Sequence, residues 1–196
     1  MAMPATTESG LRSLHHAAFR CRDAEQTRWF YEDVLGLKAS AGIVLDEVPG
    51  THEPTPYMHI FFEMGDGNFV AFFDAPSTAD PSWFKRKDSF DMHIAIQARD
   101  EAHMLEMQQR IRDHGVSCLG PVEHHFVRSV YMYDPNGIQV EITTRTADHD
   151  RILGEEGAAL PQVLKDWTVQ TRAEKEAKFG AEALDRRGKP QSELKG

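Results

Sequence analysis

Cysteine is scarce in this 196-residue chain: Cys21 and Cys118 are the only two, 97 positions apart. That count excludes a disulfide framework, and the spacing excludes a CxxC zinc or redox motif. Free thiols suit a reducing compartment, so a cytoplasmic protein is expected. Long apolar runs are also missing. None approaches the roughly 18 residues of a membrane span, and the opening MAMPATTESG has no apolar stretch of signal length. Basic charge is in deficit, with 22 Lys and Arg against 31 Asp and Glu and a net charge of -9. Such a surface repels nucleic acid and anionic membrane, and neither is an expected partner. GxGxxG, Walker and GxSxG motifs are absent, which removes the support for dinucleotide, nucleotide-triphosphate and serine-hydrolase chemistry.

What the chain does contain is an internal repeat. His16-Ala17-Ala18-Phe19-Arg20-Cys21-Arg22-Asp23 set above His93-Ile94-Ala95-Ile96-Gln97-Ala98-Arg99-Asp100 matches a His, an Ala, an Arg and an Asp at a constant offset of 77. Each segment begins as a strand and ends on an Asp able to cap a helix. Helical spacing follows in AEQTRWFYEDVLG, with Gln26 at the capping-box position and Gly36 as the stop, and in EAHMLEMQQRIRDHG, with Met104, Leu105 and Ile111 as an apolar stripe and Gly115 as the stop. Strand-like runs come next, at about 38 to 44, 57 to 64 and 67 to 74, then at about 116 to 122, 127 to 133 and 137 to 144. The repeated unit is βαβββ.

The predicted fold class is therefore α+β: two paired βαβββ modules forming a cupped, eight-stranded mixed sheet. Residues 1–10 read as a polar leader, 11–146 as the domain (modules about 11–75 and 88–146), and 147–196 as a C-terminal helical extension with a polar tail. Residues 45–56 and 75–89 read as Pro-rich polar loops, a class often used as lids. Within the extension, Leu160, Val163, Leu164 and Trp167 share one helical face, which predicts an amphipathic arm docking on the domain or on a second subunit.

Strand alternation singles out three residues. His16 and His93 occupy the less apolar faces of equivalent strands, and Glu141, between Val140 and Ile142, projects away from its apolar neighbours. A lone strand histidine is usually just a hydrogen-bonded or part-exposed residue. A repeat-related pair together with a mid-strand glutamate, costly unless paired or bound to a cation, is better explained as a metal triad. The closing strands also align, GNFVAF against GIQVEI, and put Ala71 where the second module has Glu141. Cys118 reads as a small core residue. Trp83, Phe84, Lys85 and Arg86 read more simply as an exposed loop with a docking aromatic than as a site for an aromatic acid.

The segment HHAAFRCRDAEQTRWFYEDVLGL, with YDPNGIQVEI further on, resembles the signature of the vicinal oxygen chelate superfamily: glyoxalase I, type I extradiol dioxygenases, and fosfomycin and bleomycin resistance proteins. The resemblance covers about 12 to 145 and implies paired βαβββ modules cupped around a divalent metal held by His16, His93 and Glu141. Glyoxalase I has a fourth ligand, a glutamate where this chain has Ala71. Three ligands with open positions look like the extradiol dioxygenases. That implies Fe(II), with Mn(II) or another divalent metal as alternatives, and a small aromatic catechol and dioxygen as substrates. Tyr131, in Ser129-Val130-Tyr131, resembles the residue that hydrogen-bonds substrate in those enzymes. For the acid/base histidine, strand parity with Tyr131 favours His125, with His124 and His59 as further candidates. A homodimer or larger homo-oligomer is expected. A lyase, isomerase or thiol transferase on the same triad, or a non-enzymatic binder of aromatic compounds, stay open as alternatives.

Overall fold

A computed structural model describes residues 10, 11 and 13–185, so nearly all of the polar leader and the tail from 186 lie outside the described residues. The first module comprises β1 (His16–Cys21), α1 (Ala24–Arg28) continued in π-helical winding over Trp29–Val34, β2 (Lys38–Glu47), β3 (Pro54–Glu63) and β4 (Phe69–Asp74). The second comprises β5 (His93–Gln97), α2 (Glu101–Asp113), β6 (Leu119–Glu123), β7 (Val127–Tyr133) and β8 (Gln139–Arg145). The βαβββ unit is present twice, and the eight strands fall into two four-stranded mixed sheets, ordered β1-β4-β3-β2 and β5-β8-β7-β6. In each sheet the first pair is parallel and the others antiparallel. Residues 45–47 and 54–56, expected in a loop, instead extend β2 and β3, which leaves a short connection over 48–53.

The repeated aspartates start the helices. Asp23 accepts the Gln26 amide at 2.6 Å and Asp100 the His103 amide at 2.8 Å, each satisfying a donor that the first helical turn leaves unpaired. Both sheets then bury their helix-bearing sides in one common core. Ile60, Phe62, Val70 and Phe72 from the first sheet meet Val130, Met132, Val140 and Ile142 from the second, with Phe30, Tyr31, Val34, Met104 and Ile111 from the helices between them.

Polar bonds tie the modules together, and the YDPNG run makes most of them. Asn136 Oδ1 accepts the Arg22 amide at 2.9 Å, Asn136 Nδ2 donates to Thr27 Oγ1 at 3.2 Å, and Tyr31 donates to Asp134 Oδ2 at 3.3 Å. Burial pushes both the Asp134 carboxyl and the Tyr31 phenol above their ordinary ranges. The carboxylate is held by the Asn136 and Ile138 amides, without which an ion there would be very costly. From the helix side, Arg110 donates to the carbonyls of Val34 and Asp33 at 2.8 Å. Gly137 (φ 84°) seats the connection between modules: a Cβ added there would stand 2.2 Å from the Arg86 carbonyl oxygen.

Beyond the second module, α3 (His149–Phe179) lies within the segment expected to be helical and buries none of its residues. A short α4 (Ala181–Asp185) folds back onto it through Arg172 and Asp185, 2.8 Å apart. No helix among the described residues is long and apolar enough to cross a membrane.

Candidate metal centre

Because Val140 and Ile142 face the core, strand alternation turns Gln139, Glu141 and Thr143 to the outer face of the second sheet. His93 reaches the same face from β5, the parallel neighbour of β8. His93 Nε2 donates to Glu141 Oε2 at 2.7 Å. Glu141 is 8% exposed, and its other oxygen accepts from the buried Ser129 hydroxyl, which lies 2.9 Å from Thr143 Oγ1. Directly opposite Glu141 on β7 is Tyr131. Its hydroxyl shares a hydrogen bond of 2.7 Å with His124 Nε2. Burial pushes the Tyr131 phenol up, and the nearby Glu141 carboxylate adds to the shift. One sheet face thus carries a bonded imidazole, carboxylate and hydroxyl, with a bonded phenol and second imidazole beside them.

The strand regularity that favoured His125 does not extend to it. Parity pointed to His125 on the condition of a regular strand, but β7 starts at Val127 and His125 sits in the preceding turn with φ 62°. There its carbonyl accepts from Thr146 Oγ1 and its ring makes no bond to Tyr131; His124 takes that place. Ser129, without an expected role, is bonded to Glu141. Its signal was its position two residues before Tyr131, on the same face of a strand paired with Glu141.

His16 is on the outer face of the other sheet. Its Nδ1 lies 2.9 Å from His15 Nδ1, and its ring is 6.0 Å from that of His59 and 5.7 Å from that of Phe61. His59 stacks on Phe73 at 3.9 Å, and its buried Nε2 has no hydrogen-bond partner among the described residues. Burial, and then the neighbouring His16, lower its pKa, so the ring is neutral near pH 7. Tyr57, Phe61, Phe69 and Phe73 complete a wall of rings around the two histidines. Ala71, fully buried, lies on this face between Ala18 of β1 and Phe61 of β3.

Within one chain, then, two of the three expected ligands meet and the third stands apart. No group of three or more His, Cys, Asp or Glu side chains among the described residues is placed to hold a single metal ion. The reason is topological. With both helix-bearing sides sharing a core, the face carrying His16 and the face carrying His93 and Glu141 both look outward. The donor chemistry of the paired residues, a ring nitrogen and a buried carboxylate oxygen, still suits a divalent cation. A cavity of about 500 Å³ lies beside Tyr131, lined also by Leu119, Tyr133, Gln139 and Lys87. The larger cavity of about 720 Å³, between Leu35, Met64, Ile96 and Met107, touches none of the candidate ligands.

The Glyoxalase/Bleomycin resistance protein/Dioxygenase superfamily model matches residues 13–142. The chain belongs to this superfamily. Among solved structures, it is similar to a glyoxalase/dioxygenase from Nostoc punctiforme at 26% identity, with a TM-score of 0.53 over 74% of this chain and 99% of that one. At the level of the fold it is also similar to a mutant of the genomically encoded fosfomycin resistance protein FosX from Listeria monocytogenes, complexed with Mn(II) and 1S,2S-dihydroxypropylphosphonic acid. There the identity is 18% and the TM-score 0.52, over 71% of this chain and 98% of that one. Among curated proteins none matches the chain. As a superfamily member, the chain places its match on the two modules and leaves α3 outside it.

Proposed function

We propose that this protein is a metal-dependent, extradiol-type ring-cleaving dioxygenase acting on a catecholic aromatic compound. The observation that carries the reading is the row His93, Glu141, Ser129, Tyr131 and His124 on one sheet face, with a substrate-sized cavity beside it. His93 and Glu141 supply two ligands of a divalent metal, Fe(II) first and Mn(II) second. His16 supplies the third from a second copy of the chain, so the working unit is a homodimer whose outer faces meet. The wall of rings around His16 supports an aromatic substrate, since planar molecules pack well against aromatic faces.

When bound, the metal supplies positive charge beside the diol oxygens and a common meeting point for diol and dioxygen. The protein's own groups do the remainder. Ser129 fixes the Glu141 carboxylate by donating to one of its oxygens. Tyr131, bonded to His124 Nε2, relays the proton: its hydroxyl passes its own proton to His124 as its oxygen accepts the one the diol releases, and the reverse transfer returns a proton to the opened product. His59, neutral and ringed by aromatics, closes the opposite side against water.

The decisive experiment is anaerobic purification, metal analysis and oxygen uptake over a panel of catechols. Fe(II)-dependent oxygen consumption with ring-cleavage colour supports the reading. Thiol-dependent turnover on another metal moves it to a lyase or transferase on the same residues. A second reading, a binding protein that sequesters aromatic compounds, is favoured by the ring wall and by the meeting of only two donors within one chain. Tight binding of catechols without metal, unaffected by chelator, would establish it instead.

A further inference from the structure

Helix α3 poses a physical problem within a single chain. It is 31 residues long, contains Gly154, Gly157 and Pro161, and buries no residue. Helices in proteins owe most of their stability to packing of an apolar face, and glycine and proline lower the intrinsic propensity further. Leu153, Leu160, Val163, Leu164 and Trp167 recur at helical spacing along one stripe. They are 44%, 50%, 52%, 56% and 54% exposed. The superfamily match ends at residue 142, so the shared fold gives this helix no role.

Three features specify the partner. The densest part of the stripe, Leu160 to Trp167, is centred on the midpoint of the helix, so a two-fold axis there brings the cluster onto a copy of itself. The charges of the two halves are opposite in sign. Asp150, Glu155 and Glu156 outnumber Arg151 in the first half, whereas Lys165, Arg172, Lys175 and Lys178 outnumber Asp166, Glu174 and Glu176 in the second. Antiparallel pairing sets acidic halves against basic ones and opposes the helix dipoles, while parallel pairing sets like against like. Finally, Gly157 lies on the stripe, and a Cβ there would meet nothing within the chain, so a second helix can approach closely.

We infer that α3 is a homodimerisation arm, pairing antiparallel with α3 of a second copy about an axis near Val163 and Leu164. Leu160 then packs against the partner's Trp167, and Leu153 comes to lie near the partner's Glu174. This interface is distinct from the outer-face contact proposed above, so it is read at Leu160 and Leu164, and its test reads neither metal nor turnover.

The test uses the full chain and two measurements. Sedimentation equilibrium is expected to show a dimer. Leu160→Glu with Leu164→Glu is expected to weaken it on the order of a hundredfold, and Leu160→Ala with Leu164→Ala, which keeps helix propensity, by a smaller factor. Unchanged thermal unfolding of the domain checks that the variants fold. Oxidative cross-linking reads the orientation, because Cys21 and Cys118 are buried. Leu164→Cys is expected to link to its own copy. Leu153→Cys is expected to link to a Glu174→Cys copy and not to itself. A monomeric wild type, a dimer indifferent to both double variants, or self-linking of Leu153→Cys as fast as that of Leu164→Cys would each overturn the inference.

Discussion

His93 and Glu141 are 48 positions apart in the chain, yet the imidazole Nε2 lies 2.7 Å from the carboxylate oxygen. Parallel pairing of β5 with β8 is what joins them: Glu141 lies opposite Ala95, one alternation step from His93 on the same face. The outer half of the proposed site is thus built by sheet register, and only its completion by His16 requires a second chain.

That requirement yields a complementation prediction. His16→Ala, His93→Ala and Glu141→Ala should each abolish stoichiometric divalent-metal binding, and Glu141→Gln should be nearly as damaging because an amide lacks the anionic charge. Mixing equal amounts of His16→Ala and Glu141→Ala copies should restore about a quarter of the wild-type sites, because half the dimers are mixed and each has one intact site. Metal analysis after subunit exchange reads this directly. No recovery would mean that His16 is not shared between copies.

The acid/base assignment separates two adjacent histidines. Tyr131→Phe and His124→Gln should retain metal and fold but lower turnover about tenfold to a hundredfold, the worth of one hydrogen bond of roughly 1.5 to 3 kcal/mol to a charged group. His125→Ala, whose ring touches no site residue, should stay near wild type. Steady-state oxygen uptake by the three variants distinguishes them.

Ala71 is fully buried on the face that carries His16, packed between Ala18 and Phe61. Ala71→Glu should therefore lower stability by about 3 kcal/mol or more, through crowding and an uncompensated buried carboxylate. Urea unfolding followed by circular dichroism measures the loss; a change below about 1 kcal/mol would mean that this face opens more readily than its packing indicates.

Burial pushes the Cys21 thiol from its usual value of 9.0 up to about 12. The raised pKa means that the folded state keeps the proton longer than the unfolded state does. The associated stability is complete below pH 9 and is lost as pH climbs toward 12. At pH 10.5 the loss is about 2 kcal/mol relative to pH 8, and Cys21→Ala should remove it. Neither cysteine should react with a thiol reagent until the protein is unfolded.

Much of this architecture could be read from the sequence. Asp23 and Asp100, repeated at one offset, do cap two equivalent helices, and the faces assigned to His16, His93 and Glu141 by alternation are the faces they occupy. What a repeat does not encode is how two modules are oriented. It gives the face of His16 without saying whether that face meets the one bearing Glu141. The parity that placed His125 on the Tyr131 face does not hold for a local reason, because a left-handed residue in the turn breaks the alternation.

The seat that Gly137 provides for the Arg86 carbonyl bears on how the molecule can move. The crossing from β4 to β5 is the one covalent passage between the modules, and it is pinned partway along against the turn that also presents Asp134 and Asn136 to the first module. At that point the crossing is a brace, held against the second module at Arg86. A change in the angle between the modules would have to break that seat and the Asp134 and Asn136 bonds together, so one turn couples the two sheets.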